Sequence, residues 1–195
     1  MADMRWQKFL NKVRSPMMRR GDYTLEHVDK FYSALGRPFR KDKVIHVAGT
    51  NAKGTVTFKM ARMLELSGFK TGLFLSPHLF SWRERVQVNS QLITKEYCGD
   101  FFMEYERLRE KIGIELSFFE FFTVMGLKYF NDVGADFAVV EVGLGGRLDA
   151  TNIIDASILS IITSISLDHT QTLGTTREQI AGNVSCYDRG EMRNY

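Results

Sequence analysis

The chain has 195 residues, 44% of them hydrophobic and 25% charged, with a net charge of +3. That is enough length for one domain with a real core; it excludes a disordered tail, a collagen-like repeat or a bare coiled coil, and gives no reason to expect nucleic acid as a partner. No apolar run reaches the roughly 18–20 residues of a membrane helix, so no membrane partner is expected, and the two cysteines, Cys98 and Cys186, fit a reducing compartment such as the cytoplasm.

The first 43 residues hold eleven Lys or Arg against five Asp or Glu. They read as a helical segment, 1–43, with a solvated basic face, packing on the domain that follows. Trp6, Lys8, Lys12 and Arg14 break every apolar stretch that a secretory signal would need. A mitochondrial leader is the weaker option, because Asp3 is acidic and serine is scarce.

Val44-Ile45-His46-Val47-Ala48 is a short β-rich run, and His46 inside it reads as structural. Val56, Met60, Met63, Leu64 and Ser67 then recur at helical spacing over Lys53 to Ser67, and Gly68 follows as a stop. Leu73-Phe74-Leu75 is a second strand, ended by Ser76-Pro77. Thr94 to Lys111 is an amphipathic helix with Thr94 as a candidate N-cap. Phe118 to Phe130 is a more buried helix. Phe137 to Val142 is a third core strand and Ile158 to Ile162 a fourth. This alternation predicts an α/β fold: a mainly parallel β-sheet flanked by helices.

Gly49-Thr50-Asn51-Ala52-Lys53-Gly54-Thr55 joins the first strand to the first long helix. Such a loop presents backbone N–H groups and a positive helix end to an anion. Lys53 has the reach for terminal phosphates, and the Thr55 hydroxyl can face Mg²⁺. The spacing departs from Gly-x-x-x-x-Gly-Lys-[Ser/Thr]: Ala52 stands where a glycine precedes the lysine, and Gly54 separates Lys53 from Thr55. Spacing alone leaves open a nucleotide loop and a plain strand–helix turn.

The run His46 to Thr55 resembles the ATP loop of the folylpolyglutamate synthase and dihydrofolate synthase family, within the Mur ligase superfamily. Leu75-Ser76-Pro77-His78-Leu79, Ser117-Phe118-Phe119-Glu120, Glu141 to Asn152 and Thr163 to Thr170 follow in the family's order. The resemblance covers roughly residues 20 to 182 and implies the P-loop type of α/β fold found in the Mur ligase central domain.

It also implies an activity: ATP-dependent amide formation, in which a folate or dihydropteroate carboxylate becomes an acyl phosphate that the amine of L-glutamate displaces. ATP and Mg²⁺ would be the cofactors and a monomer the expected state. Gly49, Thr50, Asn51, Ala52, Lys53, Gly54 and Thr55 would bind ATP, with Lys53 and His169 as catalytic groups. Ser76, Glu141 and His169 would hold the metal. Ser117, Phe118, Phe119, Glu120, Leu148, Asp149 and Ala150 would bind the folate. From residue type alone, Phe118 and Phe119 are equally well read as helix core, Glu141 as a carboxylate paired with Arg147, and Asp168-His169 as a polar loop with a capping Asp. Asp22-Tyr23-Thr24-Leu25 loosely matches a further pteroate loop, and Trp82 to Arg85 follows the Ser76 loop toward the same cleft.

Two departures set an expectation of their own. Where the family continues with an acidic residue and a lysine that helps hold a second metal, this chain has Asn183 and Val184. The stretch 183–195 resembles nothing in the family, and the family's C-terminal glutamate-ligase domain has no counterpart here. The expected domain plan is therefore 1–43, 44–182 and a divergent 183–195. The alternative to a ligase is a nucleotide-binding fragment without activity.

Overall fold

The computed structural model describes residues 2–14, 24–39, 41–154 and 157–184. Seven α-helices and six strands are found among them: α1 Ala2–Val13, α2 Glu26–Ala34, β1 Val44–Ala48, α3 Lys53–Leu66, β2 Thr71–Phe74, β3 Val86–Val88, β4 Gln91–Leu92, α4 Lys95–Ile112, α5 Phe118–Asp132, β5 Phe137–Glu141, β6 Leu159–Ile162, α6 Thr170–Leu173 and α7 Arg177–Val184. The strands form one sheet in the order β4-β3-β2-β5-β1-β6. β2, β5, β1 and β6 run parallel, as the alternation predicts. The β3–β4 hairpin adds two antiparallel strands at one edge. Sequence reading missed this hairpin because its strands are three and two residues long, too short to carry a period of two.

The four-stranded parallel part sorts its side chains by that period. Val44, Ala138, Val140 and Phe74 face a large aromatic core built with α1, α2, α4 and α5. Ile45, Val47, Val139 and Leu73 face the other way, toward Ala61 with Val56, Met60 and Leu64 of α3. Met63 is 61% exposed; it lies off that stripe, so the apolar spacing expected for α3 included one solvent residue. β6 also departs from a core strand. It lies at the sheet edge, and its Leu159 and Ile162 are exposed.

The basic N-terminal segment is more than a solvated face. Phe9 of α1 is fully buried against Phe102, Phe121, Phe122 and Trp82. Burying such a ring contributes about 2–3 kcal/mol. The capping signals are local and satisfied: the Thr94 hydroxyl accepts the Tyr97 N–H at 3.1 Å, and Ser117 and Glu120 form a reciprocal capping box at the head of α5. Asn183 and Val184 belong to α7; the remainder of the 183–195 stretch, like Asp22 and Tyr23, lies outside the described residues.

Candidate active site

The carboxyl ends of parallel strands are where an open α/β sheet binds ligands. β1 ends there in the loop 49–52, β2 in Ser76-Pro77, and β5 in Glu141. Gly49 has φ +130, and a Cβ there would meet Thr163 Oγ1 at 2.1 Å. The Thr50 N–H donates to the Ser164 carbonyl at 2.7 Å, and the Thr163 hydroxyl donates to the Asn51 carbonyl at 2.6 Å. Ser166 and Thr50 exchange two further bonds. The segment 163–166 therefore clips the loop from outside. Thr163, Ser164 and Ser166 had no assigned role in the sequence, because a hydroxyl that binds a distant backbone has no local spacing.

The first intrahelical bond of α3 runs from the Val56 N–H to the Ala52 carbonyl at 3.0 Å. The amides of residues 53–55 therefore precede the helical ladder, as an anion site at a helix start requires. Lys53 Nζ folds back onto the Gly49 and Thr50 carbonyls at 2.9 and 3.3 Å. Ala52 sits in the left-handed region at φ 63, where a glycine would be at ease. Thr55 is exposed in the first turn of α3.

Glu141 is 4% exposed. Its Oε2 accepts the Ser76 N–H at 2.7 Å. Its Oε1 lies where only a glycine fits comfortably, 3.3 Å from the position a Gly54 Cβ would take. Burial pushes the carboxyl up from its ordinary range, opposed by the Ser76 N–H and by the charges of Lys53 and Arg85. It forms no ion pair with Arg147, the alternative left open by the sequence; Arg147 instead donates to Asn183 Oδ1 at 2.9 Å.

Beside Glu141 opens a cavity of about 390 Å³, lined by Thr24, Ser76, Pro77, Arg85, Ser117, Phe119, Glu120, Gly143, Leu144, Leu148, Asp149 and Ala150. Every residue expected at the folate site lies on this wall except Phe118. The Phe118 ring instead stacks under the Arg85 guanidinium, 5.0 Å from its centroid, and against Phe122. Ser117 and Glu120 spend their side chains on the capping box, so they shape the wall rather than project free polar groups into it.

Asp149 is the other organiser. Its carboxylate accepts the Leu144 N–H at 2.9 Å, the Thr151 N–H at 3.0 Å and the Thr151 hydroxyl at 2.6 Å. The Thr151 oxygen in turn meets His46 Nε2 at 2.8 Å. Since the hydroxyl proton is given to Asp149, His46 is the donor in that contact. Burial holds the His46 imidazole down to about 4, and pushes Asp149 up against the pull of its donors.

The oxygen donors near β5 suit a hard cation. Among the described residues Glu141 Oε1, beside Gly54, and the Ser76 hydroxyl have no hydrogen bond of their own, and carboxylate with hydroxyl oxygen is the donor chemistry Mg²⁺ takes. His169 is not brought to them by any contact. It caps α6 in the left-handed region at φ 47, its side chain 59% exposed beside Asp168. Among the described residues no three His, Cys, Asp or Glu side chains gather as a metal cluster, and no helix is long and apolar enough to cross a membrane.

No family model matches the chain. It is similar to the dihydrofolate synthase/folylpolyglutamate synthase of Escherichia coli, 40% identical over 186 residues, which are 95% of this chain and 43% of that protein. Its fold is similar to E. coli FolC in complex with DHPP and ADP, with TM-score 0.85 and 37% identity, over 93% of this chain and 43% of the other. It is also similar to an FPGS-AMPPCP-folate complex, with TM-score 0.84 and 31% identity, over 93% and 45%. The chain thus spans about two fifths of the length of the curated relatives it matches. On motifs, order and fold together, the chain is similar to members of the folylpolyglutamate synthase/dihydrofolate synthase family over about two fifths of their length.

Proposed function

We propose that this chain carries the nucleotide and pteridine sites of an ATP-dependent ligase that joins L-glutamate to a folate-type carboxylate, either dihydropteroate or a folylpolyglutamate. One observation carries the reading. The Glu141 carboxylate links the loop to the cavity, lying over Gly54 at the head of α3 and accepting the Ser76 N–H on the cavity wall. A nucleotide bound on the loop and an acid bound in the cavity would then lie on either side of this carboxylate.

The chemistry needs positioning and charge neutralisation more than a nucleophilic side chain. The acceptor carboxylate attacks the γ-phosphorus, the bond to ADP breaks, and an acyl phosphate forms. The glutamate amine then attacks the acyl carbon and inorganic phosphate leaves, with one proton lost to solvent. The amides at the head of α3 and Lys53 hold the phosphates in line. The wall of Phe119, Leu148 and Ala150 takes the flat face of the acceptor and excludes water. Glu141 and Ser76 would hold Mg²⁺, with His169 joining them on the family resemblance alone; when bound, the ion neutralises phosphate charge. We take the chain to act as a monomer in the cytoplasm, with mitochondria as the second location.

Titration of the purified chain with AMPPCP and with dihydropteroate tests this reading. Both are expected to bind, the nucleotide with a Mg²⁺ dependence that Glu141→Gln weakens at least about tenfold. Nucleotide binding without any pteridine binding would sink the folate assignment. A second reading, binding without turnover, is favoured by Val184: it is 1% exposed and packed on Ala48, Val142 and Ile180, at the place where the resemblance puts a metal-holding lysine. Incorporation of labelled glutamate by this 195-residue chain would exclude that second reading.

A further inference from the structure

The cavity wall carries three ionisable side chains, and two of them are carboxylates already engaged by neighbouring donors. Glu120 is engaged by the Ser117 N–H at 2.7 Å, and Asp149 by three donors. Arg85 is different. It is 7% exposed and is the sole cation among the described residues that line the cavity. Its Nε donates to His78 Nδ1 at 3.0 Å, and its guanidinium lies 5.0 Å over the Phe118 ring and 5.9 Å over that of Phe122. Among the described residues it makes no ion pair, and its two terminal nitrogens have no acceptor.

The two terminal nitrogens are not sealed in the interior; they belong to a side chain on the cavity wall, where a largely desolvated cation favours a negative group. The Glu141 charge reaches it but lies beyond ion-pair distance. The fork is also held in one plane: aromatic faces stack behind it and His78 fixes its Nε. That role requires a bare Nδ1 on His78, consistent with burial and the Arg85 charge pushing that imidazole down. A planar fork with two parallel N–H donors matches a carboxylate better than an ammonium does.

We propose that Arg85 is the oxyanion-binding residue of this cavity and receives the carboxylate of the acceptor. The inference rests on the folate-type reading above and deepens it. A carboxylate and a phosphate share the chemistry that would satisfy Arg85. The carboxylate is favoured by place: none of residues 49–55 lines this cavity, and Phe119, Leu144, Leu148 and Ala150 give its wall an apolar part for the rest of the molecule. Phosphates have their own donors on the loop, whereas the acid end of a molecule seated on that wall has Arg85.

The test compares pteroate with its carboxamide on the full chain, by titration, in wild type, Arg85→Met and Arg85→Lys. Wild type is expected to bind the acid at least about tenfold tighter than the amide. Arg85→Met should erase that preference by costing the acid more affinity than the amide, and Arg85→Lys should keep part of it. Arg85→Lys carries the test if Arg85→Met does not fold, as judged by circular dichroism. An acid-to-amide ratio near one in wild type, or a ratio untouched in either folded variant, overturns the assignment while leaving the folate reading standing.

Inorganic phosphate and 4-aminobenzoate, used as thermal-shift ligands, separate the remaining outcomes. If no pteridine binds but 4-aminobenzoate raises the melting temperature in an Arg85-dependent way, the folate reading fails and the Arg85 carboxylate site stands. An Arg85-dependent shift by phosphate alone overturns the carboxylate as its ligand. No shift by either, together with no pteridine binding, overturns both.

Discussion

Two glycine-bearing loops leave the sheet side by side, one after β1 and one after β5, and they are built on opposite plans. Residues 49–52 are held from outside, by the hydroxyls and carbonyls of 163–166, and the amides that follow at the head of α3 have no partner among the described residues. Residues 143–149 are held from inside. Asp149 at their end turns back to take the Leu144 N–H and is locked through Thr151 to His46 on β1. The first loop keeps donors in reserve, which suits an anion whose oxygens supply the missing acceptors. The second consumes its donors and becomes a rigid wall, which suits a flat ligand recognised by shape. Glu141, at the end of β5, lies over Gly54 at the head of α3 and accepts the Ser76 N–H on the cavity wall.

Glycine substitutions are the sharpest way to break this contrast. Gly49→Ala places a Cβ 2.1 Å from Thr163 Oγ1, on a backbone at φ +130, and drives the clip off the loop. We expect nucleotide affinity to fall at least tenfold and stability by about 2–4 kcal/mol. Gly143→Ala meets the Phe119 ring at 2.5 Å; that ring lines the cavity and must shift, so pteridine affinity should fall by a similar factor while nucleotide binding holds. Calorimetric titration of both variants with both ligands checks the pattern. Loss of both ligands in each variant would mean that the loops are one unit, and the contrast would be wrong.

Much of this was legible before any coordinates, and the failures have physical causes. β1, α3, α4, α5 and β5 carry a period or a cap in the chain itself, and the structure places them within two or three residues of expectation. The β3–β4 hairpin and the clip 163–166 depend on contacts across the sheet, which no local pattern records. The cavity wall was readable as a set of segments, and six of its seven expected folate residues line it. Phe118 lies off that wall; a phenylalanine on a helix looks the same in sequence whether it faces a cavity or backs a guanidinium. Arg85 was noticed only for its neighbourhood. Its unpaired charge is a property of the fold.

The second effect in size is a pH dependence that belongs to the inner lock. His46 is buried and neutral, its folded value down to about 4 against an ordinary 6.5. Below pH 6.5 the unfolded chain binds a proton that the folded chain refuses, so stability is lost as pH falls. The loss is confined to the window between the two values and comes to roughly 3 kcal/mol. Urea midpoints from pH 7 to 4 should fall more steeply for wild type than for His46→Gln, which cannot titrate. Parallel curves would show that the imidazole is not sealed by Thr151. Asp149 works with the opposite sign: its value is raised by burial, so its own contribution weakens as pH rises through that value.

A smaller effect concerns the outer anchor of the second loop. Asn183 accepts from Arg147 Nη2 at 2.9 Å and donates to the Leu173 carbonyl at 2.9 Å, and its own carbonyl accepts the Arg147 N–H at 3.1 Å. Asn183→Ala removes the side-chain bonds and keeps the carbonyl. Partly exposed bonds of this kind contribute about 1 kcal/mol. Chemical unfolding should register that loss, with pteridine affinity down no more than a few-fold and nucleotide affinity unchanged. A large drop in nucleotide affinity would tie α7 to the first loop rather than the second.

The smallest expected effect is a gain. Ala52 occupies the left-handed region at φ 63, immediately before Lys53, and its side chain is exposed. An L-residue there costs roughly 1–2 kcal/mol, and no packing would be lost by removing its methyl group. Ala52→Gly relieves that cost, offset in part by the greater freedom glycine has in the unfolded chain. The net should be a stabilisation of about 0.5 kcal/mol, read as a higher urea midpoint, with nucleotide affinity kept or improved. Glycine at an exposed position in a right-handed helix would instead destabilise by up to about 1 kcal/mol. The sign of the change therefore decides the question directly: a loss on Ala52→Gly would show that the loop relaxes out of the left-handed turn that aims the α3 amides at a phosphate.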